Sequence, residues 1–79
     1  GKYECDFIFK NRNSYQALQV CWEMDNPTTK NREIRALVEA CLLLKLRQAQ
    51  IITFDQKQLI TTNEVEIQLI PFYEWAHQF

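Results

Sequence analysis

One long amphipathic segment lies in the middle of a chain whose other segments are typical of short β-strands. Asn26 is a favourable N-cap and Pro27 suits the first helical position, so the sequence predicts a helix from Pro27 to about Leu46 or Arg47. A later start at Asn31 is the alternative, which capping supports less. The apolar residues recur at the spacing of one buried helix face: Ile34, Leu37, Val38, Cys41 and Leu44. Such a helix packs on a sheet and restricts how the surrounding strands can be connected.

The remaining segments predict five strands and one terminal helix, in chain order at about residues 3–9, 15–22, 50–54, 58–61, 65–70 and 72–79. The strand at 50–54 follows the long helix. The connection is therefore a β-α-β crossover, and this strand should run parallel to a strand of the first hairpin. The sequence thus predicts an α/β fold in which a small mixed β-sheet has the order β-β-α-β-β-β-α.

The first hairpin brings together residues that are far apart in the chain. If residues 11–14 form its turn, Lys10 pairs with Tyr15 and Asp6 lies opposite Gln19. Because side chains alternate across a strand, one face carries Glu4, Asp6, Ala17, Gln19 and Cys21. The other face is more apolar and is the predicted core side, with Cys5, Phe7, Phe9, Leu18, Val20 and Trp22.

Composition excludes several classes of function. The 79 residues suffice for one small domain, and a formal net charge of −1 gives no general basic footprint for nucleic acid. A single glycine rules out a glycine-rich phosphate loop. The three cysteines form no C-x-x-C pair, which indicates reduced thiols in a cytoplasmic protein rather than a zinc site. No apolar run is long enough to span a membrane.

The polar face of the first hairpin is the candidate catalytic site. Metal-dependent nucleases hold Mg²⁺ with a carboxylate on one strand and an acid on the next, followed two residues later by a lysine that stabilises charge at the phosphate. Here Glu4 and Asp6 supply carboxylates, whereas Gln19 and Cys21 stand where the second acid and the lysine are wanted. Two interpretations stay open. The face is either an exposed or vestigial site without activity, or a working site with Asp6 as the metal ligand.

The predicted helix start is a candidate for nucleic-acid binding. Strong donors and cations cluster there, at Thr29, Lys30, Arg32 and Arg35. Exposed N–H groups at a helix start favour phosphate, and Lys30 would replace the missing strand lysine if it reached the site. The alternative is an ordinary solvated helix start.

The aromatic residues of the terminal helix share one face. Phe72, Trp75 and Phe79 have helical spacing and are predicted to seal the small core rather than to stack on bases. His77 is the only histidine, so the sequence gives no support to a histidine metal cluster or a His–Cys nucleophile pair.

The chain resembles a known module over nearly its whole length. The matching residues are Glu4-Cys5-Asp6-Phe7-Ile8, Leu18-Gln19-Val20-Cys21-Trp22, Asn26-Pro27, Thr29, Arg32-Glu33-Ile34, Ile51-Ile52-Thr53, Ile70-Pro71 and Trp75. As a set, these residues and their spacing resemble those of the C-terminal domain of prokaryotic AAA-type ATPases, a domain of uncharacterised function. That domain in turn resembles the restriction-endonuclease-like, or PD-(D/E)xK, fold.

The resemblance implies that residues 1–79 are a single domain, excised from the C-terminus of a larger ATPase, with a truncated restriction-endonuclease-like core. ATP would then bind in the absent parent domain, and the fragment would need no cofactor unless Mg²⁺ occupies an active site. The expected function is a non-catalytic, nuclease-like accessory domain that binds nucleic acid or a protein partner. The alternatives are a metal-dependent nuclease with migrated active-site residues and a structural module for oligomerisation through a free sheet edge.

Overall fold

A computed structural model describes the chain over residues 7–11 and 14–78, with the side chains of residues 15–78. The elements in chain order are β1 (Phe7–Asn11), β2 (Ser14–Val20), α1 (Pro27–Leu44), β3 (Gln48–Thr53), β4 (Gln58–Thr62), β5 (Val65–Pro71) and α2 (Phe72–Ala76). The predicted small α/β domain with a mixed sheet is confirmed. The predictions for Glu4, Cys5 and Asp6 lie outside the described residues.

The strands form one five-stranded sheet of order β1-β2-β3-β5-β4. β2, β3 and β5 are parallel to one another, and β1 and β4 are antiparallel edge strands. The chain from β2 through α1 to β3 is therefore a β-α-β crossover. β4 and β5 are joined at Asn63 and Glu64, whose φ angles of 50° and 66° are left-handed, as the twist of a two-residue hairpin turn requires.

The first hairpin has the predicted register, because Lys10 pairs with Tyr15. The pairing continues to Asn11 and Ser14, so the two strands extend into the segment predicted as a turn. The predicted position of Asp6 opposite Gln19 lies outside the described residues.

α1 begins where its capping residues predict. The Asn26 side chain accepts hydrogen bonds from the backbone N–H groups of Thr28 and Thr29 at 2.9 and 3.2 Å, and Pro27 follows at the first helical position. The helix ends at Leu44, earlier than predicted, because Lys45 adopts a left-handed conformation with φ of 60°. Two orphan carbonyls of the last turn are then satisfied by the Lys45 and Leu46 amides.

The prediction of the core side is wrong for Val20 and Trp22. Leu18, on the same face, is buried as predicted, and the side chains of Cys5, Phe7 and Phe9 lie outside those described. Ala17 is fully buried and Gln19 is 7% exposed, whereas Val20 and Trp22 are 44% and 53% exposed. The main core lies on the Ala17 side and contains Ala17, Met24, Leu37, Val38, Cys41, Ala49, Ile51, Val65, Ile67 and Leu69. Large side chains of α1, β3 and β5 fill this space, and the small Ala17 leaves room for them.

The opposite sheet face carries a smaller apolar cluster, formed by Leu18, Ile52 and Ile70 with Trp75 packed against them. Trp75 therefore seals part of the core as predicted. Phe72 does not, since it is 41% exposed and contacts Trp22 and Phe54 instead. The third predicted residue, Phe79, lies outside the described residues.

The face assignment predicts different costs for two truncations in neighbouring strands. Ile51→Ala removes a fully buried side chain beneath α1 and should lower the free energy of unfolding by about 2 to 5 kcal/mol. Val20→Ala, on the opposite face, should cost about 1 kcal/mol or less. Urea denaturation measures both, and a larger loss for Val20→Ala would reverse the assignment.

Candidate functional site

The predicted site residue Gln19 is buried beneath α1 and bonded to it. Its Nε2 donates a hydrogen bond of 3.0 Å to Oε2 of Glu33, in the second turn of the helix. The carboxylate is an acceptor, so the amide must present its nitrogen to Glu33. Its other atom, Oε1, is buried and has no hydrogen-bond partner among the described residues. The Gln19 amide is therefore hydrogen-bonded through its nitrogen but not through its oxygen, and leaving a buried acceptor unpaired costs free energy.

Cys21 shares the same carboxylate. Burial raises the pKa of its thiol above the ordinary value of 9.0, and the Glu33 carboxylate raises it further by charge repulsion and by accepting a hydrogen bond from the thiol. The Glu23 backbone amide acts in the opposite direction. The thiol is therefore protonated at neutral pH, which makes it a poor nucleophile and a poor metal ligand.

These contacts define a small polar group, Gln19, Cys21 and Glu33, which we call the sub-helix group. The sequence picked Gln19 and Cys21 for the site but not Glu33. No local signal marks Glu33, because its proximity to β2 arises only when the crossover lays α1 over that strand. Among the described residues, no group of three or more histidine, cysteine or acidic side chains is placed to hold a metal ion. The metal-ligand prediction for Asp6 and the site prediction for Glu4 lie outside those residues and stay predictions.

The backbone amides at the start of α1 are already paired. Asn26 accepts hydrogen bonds from Thr28 and Thr29 through its side chain, and from Lys30 through its carbonyl at 2.8 Å. Pro27 has no N–H group to offer. Thr29 is also buried, at 9% exposure. The donors that would hold a phosphate at a helix start are thus engaged in capping.

The cations near this helix start do not converge on the sub-helix group. Lys30 Nζ donates to Gln58 Oε1 at 2.6 Å. Gln58 begins β4, which two strands separate from β2, so Lys30 is directed away from Gln19. Arg32 and Arg35 are exposed. Of the four residues predicted to bind nucleic acid, these two arginines are the ones that are exposed.

Four aromatic side chains form a second group, at the carboxyl end of the parallel strands. We call Trp22, Phe54, Phe72 and Tyr73 the carboxyl-edge cluster. Its successive ring centroids lie 5.3 to 6.1 Å apart. All four rings are exposed, between 41% and 58%. The sequence assigned two of them to the core, and their exposure follows from their position beyond the strand ends.

The loop after β3 is fixed beside this cluster. The buried Thr53 hydroxyl donates to the Gln56 carbonyl at 2.7 Å and accepts from the Gln56 amide at 2.9 Å. Lys57 then forms an ion pair of 2.8 Å with Glu74 of α2. An open groove of about 360 Å³ results, lined by Trp22, Asp25, Thr53, Phe54, Asp55 and Gln56.

Comparisons with models of protein families, with curated proteins and with solved structures give no match to this chain. In the described part of the chain, neither helix has the length and apolar character needed to cross a membrane.

Because the Glu33 carboxylate raises the pKa of the Cys21 thiol, we predict that Glu33→Gln makes this thiol more reactive. The substitution keeps an acceptor but removes the negative charge, so the pKa of the Cys21 thiol should fall. The midpoint of its alkylation by iodoacetamide, followed by peptide mass spectrometry, should then shift to lower pH. Glu66→Gln, an exposed acid on the opposite sheet face, is the matched control. An unchanged midpoint in Glu33→Gln would contradict the contact.

We also predict that the contribution of the Cys21 thiol to folding stability is lost in alkaline solution. Because the folded-state pKa lies above the unfolded one, its contribution is complete below the unfolded pKa and is lost as pH rises through the folded pKa. The stability difference between the wild type and Cys21→Ser should therefore shrink above the ordinary thiol pKa of 9.0. Urea denaturation across this range measures it, and a constant difference would argue against the raised pKa.

Proposed function

We propose that this chain is a non-catalytic, nuclease-like accessory domain of a prokaryotic AAA-type ATPase, built on a truncated restriction-endonuclease-like core, and that it binds a protein partner. The family resemblance of the sequence motivates the parent and the fold type. The observation that best supports the absence of catalysis is the hydrogen bond from Gln19 to Glu33, which is buried because Gln19 is only 7% exposed.

The chemistry of the sub-helix group supports the absence of catalysis. Mg²⁺ requires hard oxygen ligands in near-octahedral geometry and usually keeps several waters, so its site needs room and negative charge. The neutral amide of Gln19 is buried and bonded through its nitrogen. Cys21 takes the place of the lysine and, with its raised pKa, carries no charge at neutral pH. The Gln19 nitrogen is already bonded to Glu33 and the Cys21 thiol is uncharged, so neither residue supplies the positive charge that a lysine would bring to a phosphate.

A metal-dependent nuclease with migrated residues is the second candidate, and one observation favours it. Glu33 places a carboxylate from α1 beside β2, and Gln19 Oε1 is an oxygen with no partner among the described residues. If Asp6 supplies a further carboxylate, these three oxygen donors would be the protein ligands of Mg²⁺. This candidate makes Glu33 the acid that the strand lacks.

Titration with metal ions separates the two candidates. The non-catalytic domain should show no saturable heat with MgCl₂ or MnCl₂ in isothermal calorimetry, and no cleavage of supercoiled plasmid. Saturable binding and plasmid cleavage that both Asp6→Ala and Glu33→Gln abolish, while the control Glu66→Gln retains them, would establish the nuclease instead. The controls matter because exposed acids also attract divalent ions weakly.

A further inference from the structure

The carboxyl-edge cluster is a continuous apolar surface. Trp22, Phe54 and Phe72 contact one another and Tyr73 extends the row, yet each ring is at least 41% exposed. Contiguous exposed apolar surface on a small domain marks an interaction site more often than scattered exposed residues do. The rings also lie where parallel strands end, the edge at which α/β proteins bind their ligands.

The charges beside this surface are negative. Asp25 and Asp55 line the groove together with Trp22 and Phe54. Within the described part of the chain, no ion pair engages either aspartate. Lys57, from the same loop as Asp55, is already paired with Glu74 at 2.8 Å. The groove therefore presents aromatic faces and two unneutralised carboxylates.

We propose that the carboxyl-edge cluster is the docking surface for a basic segment of the partner protein, with an arginine laid on the exposed rings and its guanidinium held by Asp25 and Asp55. This rests on the proposed function and names the chemistry of its partner. Arginine fits because its planar group stacks on aromatic faces and binds carboxylates in a bidentate manner. The rings pack too closely, at 5.3 to 6.1 Å, to enclose a cation between them, so the guanidinium lies over their outer faces.

The same charges select against other occupants. Nucleic acid owes much of its affinity for proteins to neutralised phosphates, and two aspartates repel phosphates. A second copy of the chain would bring the same acidic groove to a symmetric contact, which places like charges together. A positively charged peptide is the occupant that satisfies both the rings and the carboxylates.

The test follows the indole resonance of Trp22 by NMR, with that of Trp75 as the internal reference. The probe is the peptide acetyl-Gly-Arg-Gly-Arg-Gly-amide, and its matched control replaces both arginines by citrulline, which keeps the planar group but removes the charge. The arginine peptide should shift the Trp22 resonance saturably, and the citrulline peptide should not. Asp25→Asn and Asp55→Asn should each weaken binding roughly two- to fivefold, whereas Glu66→Gln should leave it unchanged.

Three results would overturn this assignment. The first is equal binding of the citrulline peptide, or undiminished binding by both aspartate variants. The second is a saturable shift of the Trp22 resonance with single-stranded oligothymidine. The third is a dimer of the free chain in sedimentation that Trp22→Ala dissociates. Failure of this assignment is distinct from failure of the proposed function. If the domain binds neither the metal ions nor the peptide, the docking surface is wrong but the non-catalytic character stands.

Discussion

The packing of α1 across β2, β3 and β5 is the constraint on which the rest of the structure depends. A β-α-β crossover returns the chain over one face of a parallel sheet, and the helix must bury its apolar stripe there. Leu37, Val38 and Cys41 do so against Ile51 and Ile67. Once that face is chosen, alternation along β2 places Gln19 under the helix and turns the next residue outward. The buried polar contact and the exposed aromatic surface are thus two consequences of the sheet face on which α1 packs.

Those consequences separate the predicted site under the helix from an exposed surface that the sequence had assigned in part to the core. The sub-helix group contains Gln19 and Cys21, which the sequence placed at a candidate metal site, but Gln19 is buried and bonded to Glu33, and Cys21 is partly buried beside the same carboxylate. The carboxyl-edge cluster has the opposite character, because its rings and flanking acids face outward. The amide of the first is buried, whereas the rings of the second are already exposed. This contrast supports the proposed role in recognition rather than hydrolysis.

Local signals in the sequence predicted local structure well. Asn26 and Pro27 marked the start of α1, and the hairpin register followed from the spacing of Lys10 and Tyr15. The choice of hairpin face was not predictable in this way. Val20 and Trp22 are bulkier than Ala17 and suggested a core, yet the helix supplies the bulk and the small residue accepts it. Glu33 was missed for a related reason, since only the tertiary crossing of α1 and β2 brings it to Gln19.

Paramagnetic broadening by Mn²⁺ tests the central claim most directly, because it reports on the covered polar group residue by residue. The ¹⁵N-labelled chain is titrated with MnCl₂, and the side-chain amide of Gln19 and the backbone amides of Cys21 and Glu33 are followed. A structural contact under α1 predicts no selective, saturable broadening of these signals, and full recovery of any non-specific loss with EDTA. Selective broadening at Gln19 and Glu33 at low Mn²⁺, lost in Glu33→Gln, would mean that a metal site survives there and would contradict the non-catalytic role.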